Sequence, residues 1–231
     1  MNLARQLVYG LIDESDINKE EFRGKILMEF TLKYEGIIPT TSSRESRLVE
    51  KQQIRLEFHE QLRQLWSTHS RLRDINPKEL QQPILKANRF DVNRPIVGGK
   101  DFFYRYAVGG FEFVPLVNTP QEVHCHLAIR LHARTGPGDI VFYGGDLDNR
   151  LKTIFDALRM PTGLAELPEM SPTEGQTVFC LLEDDRLITR LSIETFRLLK
   201  NVADNSYVEM DIDVTVRAVT PMMGTIDLLF P

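Results

Sequence analysis

The chain has 231 residues, 42% of them hydrophobic, with 33 acidic against 28 basic side chains and a formal net charge of −5. That length supports one generous domain with a sizeable core; no apolar run approaches the roughly 20 residues of a membrane span, and two cysteines are too few for a disulfide framework. The net acidity argues against a protein that coats nucleic acid by charge alone, and the early acidic residues of MNLARQLVYGLIDESD do not suit a signal peptide, so a cytoplasmic protein without membrane contact is expected.

Residues 1–23 read as a charged N-terminal arm. In KILMEFTLKY (25–34), Ile26, Met28, Phe30 and Leu32 alternate with polar residues, the pattern of a half-buried strand. Beyond a loop with Pro39, residues Ile54, Phe58, Leu62, Leu65 and Trp66 recur at helical spacing and predict a helix over about 45–66. Pro77, Pro83, Pro95 and Gly98-Gly99 break up residues 67–100. FFYRYAVGGFEFVPLV (102–117) predicts a β-hairpin turning at Gly109-Gly110, its aromatics belonging to a core or a subunit interface.

EVHCHLAIRLHAR (122–134) alternates cleanly. Val123, Cys125, Leu127, Ile129 and Leu131 face one side, while His124, His126, Arg130, His132 and Arg134 face the other. His132 lies about 20 Å from His126 along such a strand, too far for these histidines to share a zinc ion. Next, Leu151, Ile154, Phe155 and Leu158 mark the buried face of a helix. A loop rich in Pro and Glu covers 161–175, one or two strands flank an acidic break within 176–199, and a last alternating strand spans 207–219. Strands and helices mix without a regular βαβ repeat, which predicts an α+β fold. The expected organisation is a single domain over 24–231 with an insertion at about 67–120.

Two acidic clusters carry the chemistry. In Asp146-Leu147-Asp148-Asn149 the aspartates are two apart; on extended backbone both would leave the same face. Two adjacent carboxylates repel unless a cation offsets them, and Mg²⁺ commonly binds one or two carboxylates together with substrate phosphates. The competing reading makes Asp148 or Asn149 a helix N-cap. Lys152, one turn after Asp148, is either a surface partner for Asp148 and Asp156 or a contact to a phosphate. Glu183-Asp184-Asp185 sits between apolar runs and by itself reads as a turn.

Taken together, the order strand, D-L-D-N-x-x-K, amphipathic helix ending in D-A-L, loop, D-D, strand resembles the RusA-type Holliday junction resolvases. The residues are Asp146 to Lys152, then Phe155-Asp156-Ala157-Leu158, then Asp184-Asp185; the match is specific over about 144–190 and weaker on both flanks. The resemblance implies a compact mixed sheet with helices packed on one face, a homodimer, and a Mg²⁺-dependent endonuclease, with Mn²⁺ as substitute, acting on branched DNA. It implies Asp146, Asp148 and Asp185 as metal-binding carboxylates, Lys152 as the supporting cation, and Asp184 as a further ligand. The chain departs from the family in its greater length, in Leu187 where a glutamine is usual, and in the loop EGIIPTTSSRES.

The expected nucleic-acid contacts are the row Arg44, Arg47, Lys51 and Arg55, spaced along one helix face, or the polar face of 122–134. Interleaved Glu45, Glu50 and Glu57 leave a plain solvated face as the alternative. Two other functions fit the same features: a catalytically silent binding or assembly module of this fold, and a nucleotidyl or glycosyl transferase using the D-x-D pair. No dinucleotide-type glycine fingerprint supports the transferase.

Overall fold

A computed structural model describes residues 24–38, 44–80, 103–134, 146–169 and 176–219. The expected arm at 1–23 lies outside them. Among the described residues nine α-helices and strands follow in chain order: β1 (Ile26–Ile37), α1 (Arg44–Thr68), β2 (Tyr106–Val108), β3 (Phe111–Val117), β4 (Val123–Ala133), α2 (Asp146–Leu158), β5 (Gln176–Leu182), β6 (Ile188–Arg197) and β7 (Tyr207–Ala218). The fold is α+β, with both described α-helices packed against mixed sheets.

One sheet has the order β1-β7-β4-β6 and the other β2-β3-β5. In the larger sheet β7 is antiparallel to both β1 and β4, whereas β6 runs parallel to β4. The smaller sheet joins β2 and β3, which fall within the stretch expected as an insertion, to β5 from outside it: β3 is antiparallel to β2 and parallel to β5. The two sheets are continuous in chain. β3 leads into β4 and β5 into β6, so one parallel pair turns a corner and becomes another.

Alternation places the core. β4 and β7 bury every second residue, and Leu127, Ile129, Leu131, Ile212 and Val214 lie against Ile54, Phe58, Leu62 and Trp66 of α1 and Ile154 and Leu158 of α2. Burial of each such side chain contributes about 1.5–3 kcal/mol. β1 departs from strict alternation: its register shifts between Ile26 and Met28, which leaves Ile26 exposed and buries Leu27 beside Met28. The hairpin turns as expected at Gly109 and Gly110, whose φ values of 62° and 83° suit the primed turn that twisted hairpins favour. Among the described residues no helix is long and apolar enough to cross a membrane.

Candidate functional site

α2 hangs between two anchors. Near its start, Arg150 donates from Nη1 to the Ser206 carbonyl at 3.3 Å, next to the end of the large sheet where Ile37 pairs with Tyr207 and Ala133 with Val208. Just past its other end, the Met160 N–H donates to the Leu182 carbonyl at 2.9 Å, where β5 gives way to the corner. The helix begins at Asp146, so Asp148 and Asn149 lie inside its first turn and neither caps it. Nor do the two positions share an extended strand: both lie in the first turn of α2.

Asp148 and Lys152 are exposed, and neither makes a hydrogen bond or ion pair among the described residues. The rest of the helix differs. Asp156 accepts from Lys51 Nζ at 2.7 Å and from Arg159 Nη2 at 2.9 Å, so it is no partner for Lys152. Arg159 also donates to Glu166 at 2.8 Å. Burial by itself raises the Glu166 carboxyl; bonds from Arg159 and from the Thr162 N–H and hydroxyl outweigh it and bring the pKa to about 2.

The second acidic cluster divides into three roles. Glu183 clasps the corner, accepting from the Thr119 N–H at 2.7 Å and the Tyr106 hydroxyl at 2.9 Å, while its own N–H donates to the Val117 carbonyl. Asp184 caps the 3-10 turn at 185–187 and is engaged by Arg186, through the backbone N–H at 2.9 Å and the guanidinium at 2.9 and 3.0 Å. Those bonds hold its pKa at about 2. The carboxylate expected as a further metal ligand is thus committed to its own turn. Asp185 is exposed.

The site residues enter from different places. Asp148 belongs to the first turn of α2, whereas Asp185 lies three residues past Leu182, in the turn that feeds β6 opposite Cys125. The helix from residue 148 to residue 158 rises about 15 Å. No described contact joins Asp148 to Asp185, and the strand neighbouring β6 is β4. Among the described residues no three His, Cys, Asp or Glu side chains gather into a metal-sized group. The Asp146 side chain lies outside that set.

The basic row on α1 needs correction. Its spacing does place the side chains on one face, but that face meets α2. Arg55 is 2% exposed and donates to Gln52 Oε1 and to the carbonyls of Asp156 at 2.7 Å and Arg159 at 3.2 Å. It satisfies carbonyls left open at a helix C-terminus, where positive charge is favoured. Lys51 is held by Asp156. Arg47 is exposed, and the Arg44 side chain is outside the description.

A group of two histidines and two arginines that the sequence only half revealed lies on the outer face of the large sheet. Register places His124 beside Arg217 and His126 beside Arg190, and the two imidazoles are 5.5 Å apart. Burial lowers both histidine pKa values first, and the neighbouring positive groups lower them further. Alternation in 122–134 gave the histidines; the arginines come from two other strands, and only the register brings them alongside.

Fold and geometry together define an α+β protein with an exposed Asp148–Lys152 pair on an otherwise committed helix. No family model, no curated protein and no solved structure matches the chain.

Proposed function

We propose that the protein is a homodimeric, Mg²⁺-dependent endonuclease that hydrolyses phosphodiester bonds, with branched DNA as substrate. The observation that carries this reading is the state of α2. Its other described charged groups are engaged in packing or pairing, while Asp148 and Lys152, the described charged members of D-L-D-N-x-x-K, stand exposed and unengaged. The donor chemistry fits a hard cation: Asp148 offers an oxygen ligand next to Asp146, and Mg²⁺ commonly accepts one or two carboxylates with phosphate oxygens.

Asp146 and Asp148 would hold the ion, while Asp185, near the opposite end of α2, would act apart from it. Bound Mg²⁺ supplies a water of lowered pKa and offsets charge on the phosphate. Lys152 presents its ammonium to a phosphate oxygen and stabilises charge that builds up there. A helix N-terminus favours an anion and disfavours a lone cation, so ion and phosphate bind best together. Arg190 and Arg217, beside the histidines near the start of β4, offer the backbone further positive contacts.

The experiment is a cleavage assay on a four-way junction and on matched duplex with Mg²⁺ or Mn²⁺, using Asp146→Asn, Asp148→Asn, Lys152→Ala and Asp185→Asn. Loss of cleavage in folded variants supports each residue in turn. A variant with full activity removes that residue.

A silent DNA-binding or assembly module is favoured by one observation: Asp185 enters at the end of α2 opposite Asp148. Mn²⁺ titration in the presence of an oligonucleotide separates the readings. A module without a metal site gives the same isotherm for wild type and Asp148→Asn.

A further inference from the structure

β6 is an edge strand of ten residues with β4 as its one partner among the described residues. It spans about 33 Å. Edges of that length are ordinarily blunted by proline, a bulge or a covering segment. Beyond a register shift at Thr189, the stretch from Arg190 to Arg197 has no proline and no further irregularity against β4, and Arg190, Leu191, Ser192, Glu194 and Phe196 are all exposed. Leu191 is 43% and Phe196 37% exposed, large apolar groups on a strand with one neighbour among the described strands.

We propose that this edge pairs antiparallel with β6 of a second copy, about a two-fold axis through Ser192. The sequence of the strand selects that register. With Ser192 opposite its own counterpart, Arg190 faces Glu194 of the other copy and Glu194 faces Arg190, giving two opposite-charge pairs by symmetry. Leu191 then meets Ile193, twice by symmetry.

The same register keeps faces consistent. Arg190, Ser192, Glu194 and Phe196 lie in line with His126, Ala128, Arg130 and His132, whereas Leu191 and Ile193 lie in line with buried Leu127 and Ile129. The Leu191–Ile193 contacts therefore extend the apolar side of both sheets. Moving the axis to Leu191 sets Arg190 opposite Ser192 and Glu194 opposite Ile188. Moving it to Ile193 sets Arg190 opposite Phe196 and Glu194 opposite Ser192. Only the Ser192 axis matches charge with charge and apolar with apolar. A self-complementary patch about one axis is the requirement for a closed two-fold dimer, and opposite charges placed directly across strands stabilise pairing whereas like charges oppose it. Two four-stranded sheets would join into one of eight.

The inference gives an interface to the homodimer of the proposed function and leaves its chemistry untouched. A monomer that still cleaves DNA sinks the interface alone, and a dimer that never cleaves sinks the nuclease alone. The test is sedimentation equilibrium of the full chain, with circular dichroism to confirm that each variant folds. Wild type is expected to be a dimer. Arg190→Glu and Glu194→Arg each place like charges across the axis twice and should raise the dimer dissociation constant at least about tenfold. The double swap of both residues should restore the wild-type constant. A monomeric wild type, as expected if the edge receives a strand from another protein, overturns the proposal; so does a dimer indifferent to the single swaps, or a double swap that fails to restore it.

Discussion

Arg55 keeps a full charge in the interior because each of its three guanidinium nitrogens has an acceptor: the Gln52 amide oxygen and two carbonyls at the end of α2. Burial pulls its pKa down, yet a guanidinium stays protonated well above neutrality. Arg55→Met should therefore cost about 2–4 kcal/mol in urea unfolding, mostly from stranded carbonyls, and Arg55→Lys should recover little because an ammonium lacks the planar fork. Equal stability of wild type and Arg55→Met would remove the role assigned to it. Glu166 gives a pH signature. Its folded pKa of about 2 lies below the unfolded carboxylate range near 4.3. Its contribution is complete above that range and is lost as pH falls towards 2. A melting temperature series should accordingly fall less steeply on the acid side in Glu166→Gln than in wild type. Asp184 shares the direction of shift, but its partner Arg186 is exposed, and solvent screens that pair.

At the scale of elements, the turn at Gly109 and the corner at Asn118–Glu122 show where the chain is tightly specified. A Cβ on Gly109 would lie 2.7 Å from Leu167 Cδ1, at a φ of +62° that side chains rarely adopt. Gly109→Ala should lower stability by about 1–3 kcal/mol, read from chemical denaturation. The elements themselves were largely legible in the residues. Alternation in 122–134 and 207–219, helical spacing in α1 and the Gly109-Gly110 turn all reappear, because each is a local rule about which side chains reach the core. What spacing could not disclose was the partner of each face. Lys51 and Arg55 occupy the row the sequence suggested, but only the packing of α2 reveals that this row is an interface within the fold. The same holds for Glu183, whose acidic neighbours suggested a ligand or a turn and whose carboxylate clasps β2 to the corner. Ile26 was misplaced for a different reason: the register shift at Met28 is invisible to a period of two.

For the whole molecule, the topology sets the terms of the functional proposal. A strand order of β1-β7-β4-β6 with α2 running from the Ser206 end to the Leu182 corner holds Asp148 near one end of that helix and Asp185 near the other. Sequence order and residue types pointed to one cluster of three carboxylates; the length of α2 between them is a property of the fold. The contribution of Asp146, Asp148 and Lys152 is thus separable from that of Asp185. Charge-neutral substitution of exposed Asp148 removes a ligand without touching the core, so the variant should unfold within about 0.5 kcal/mol of wild type. That makes it the cleanest probe of the endonuclease reading. Wild type and Asp148→Asn, each incubated with a labelled four-way junction and Mg²⁺, test it most directly. Wild type is expected to cleave paired strands, an activity abolished by chelator and by Asp148→Asn at unchanged stability; intact junctions in both reactions, or equal cleavage in both, would rule out the endonuclease reading.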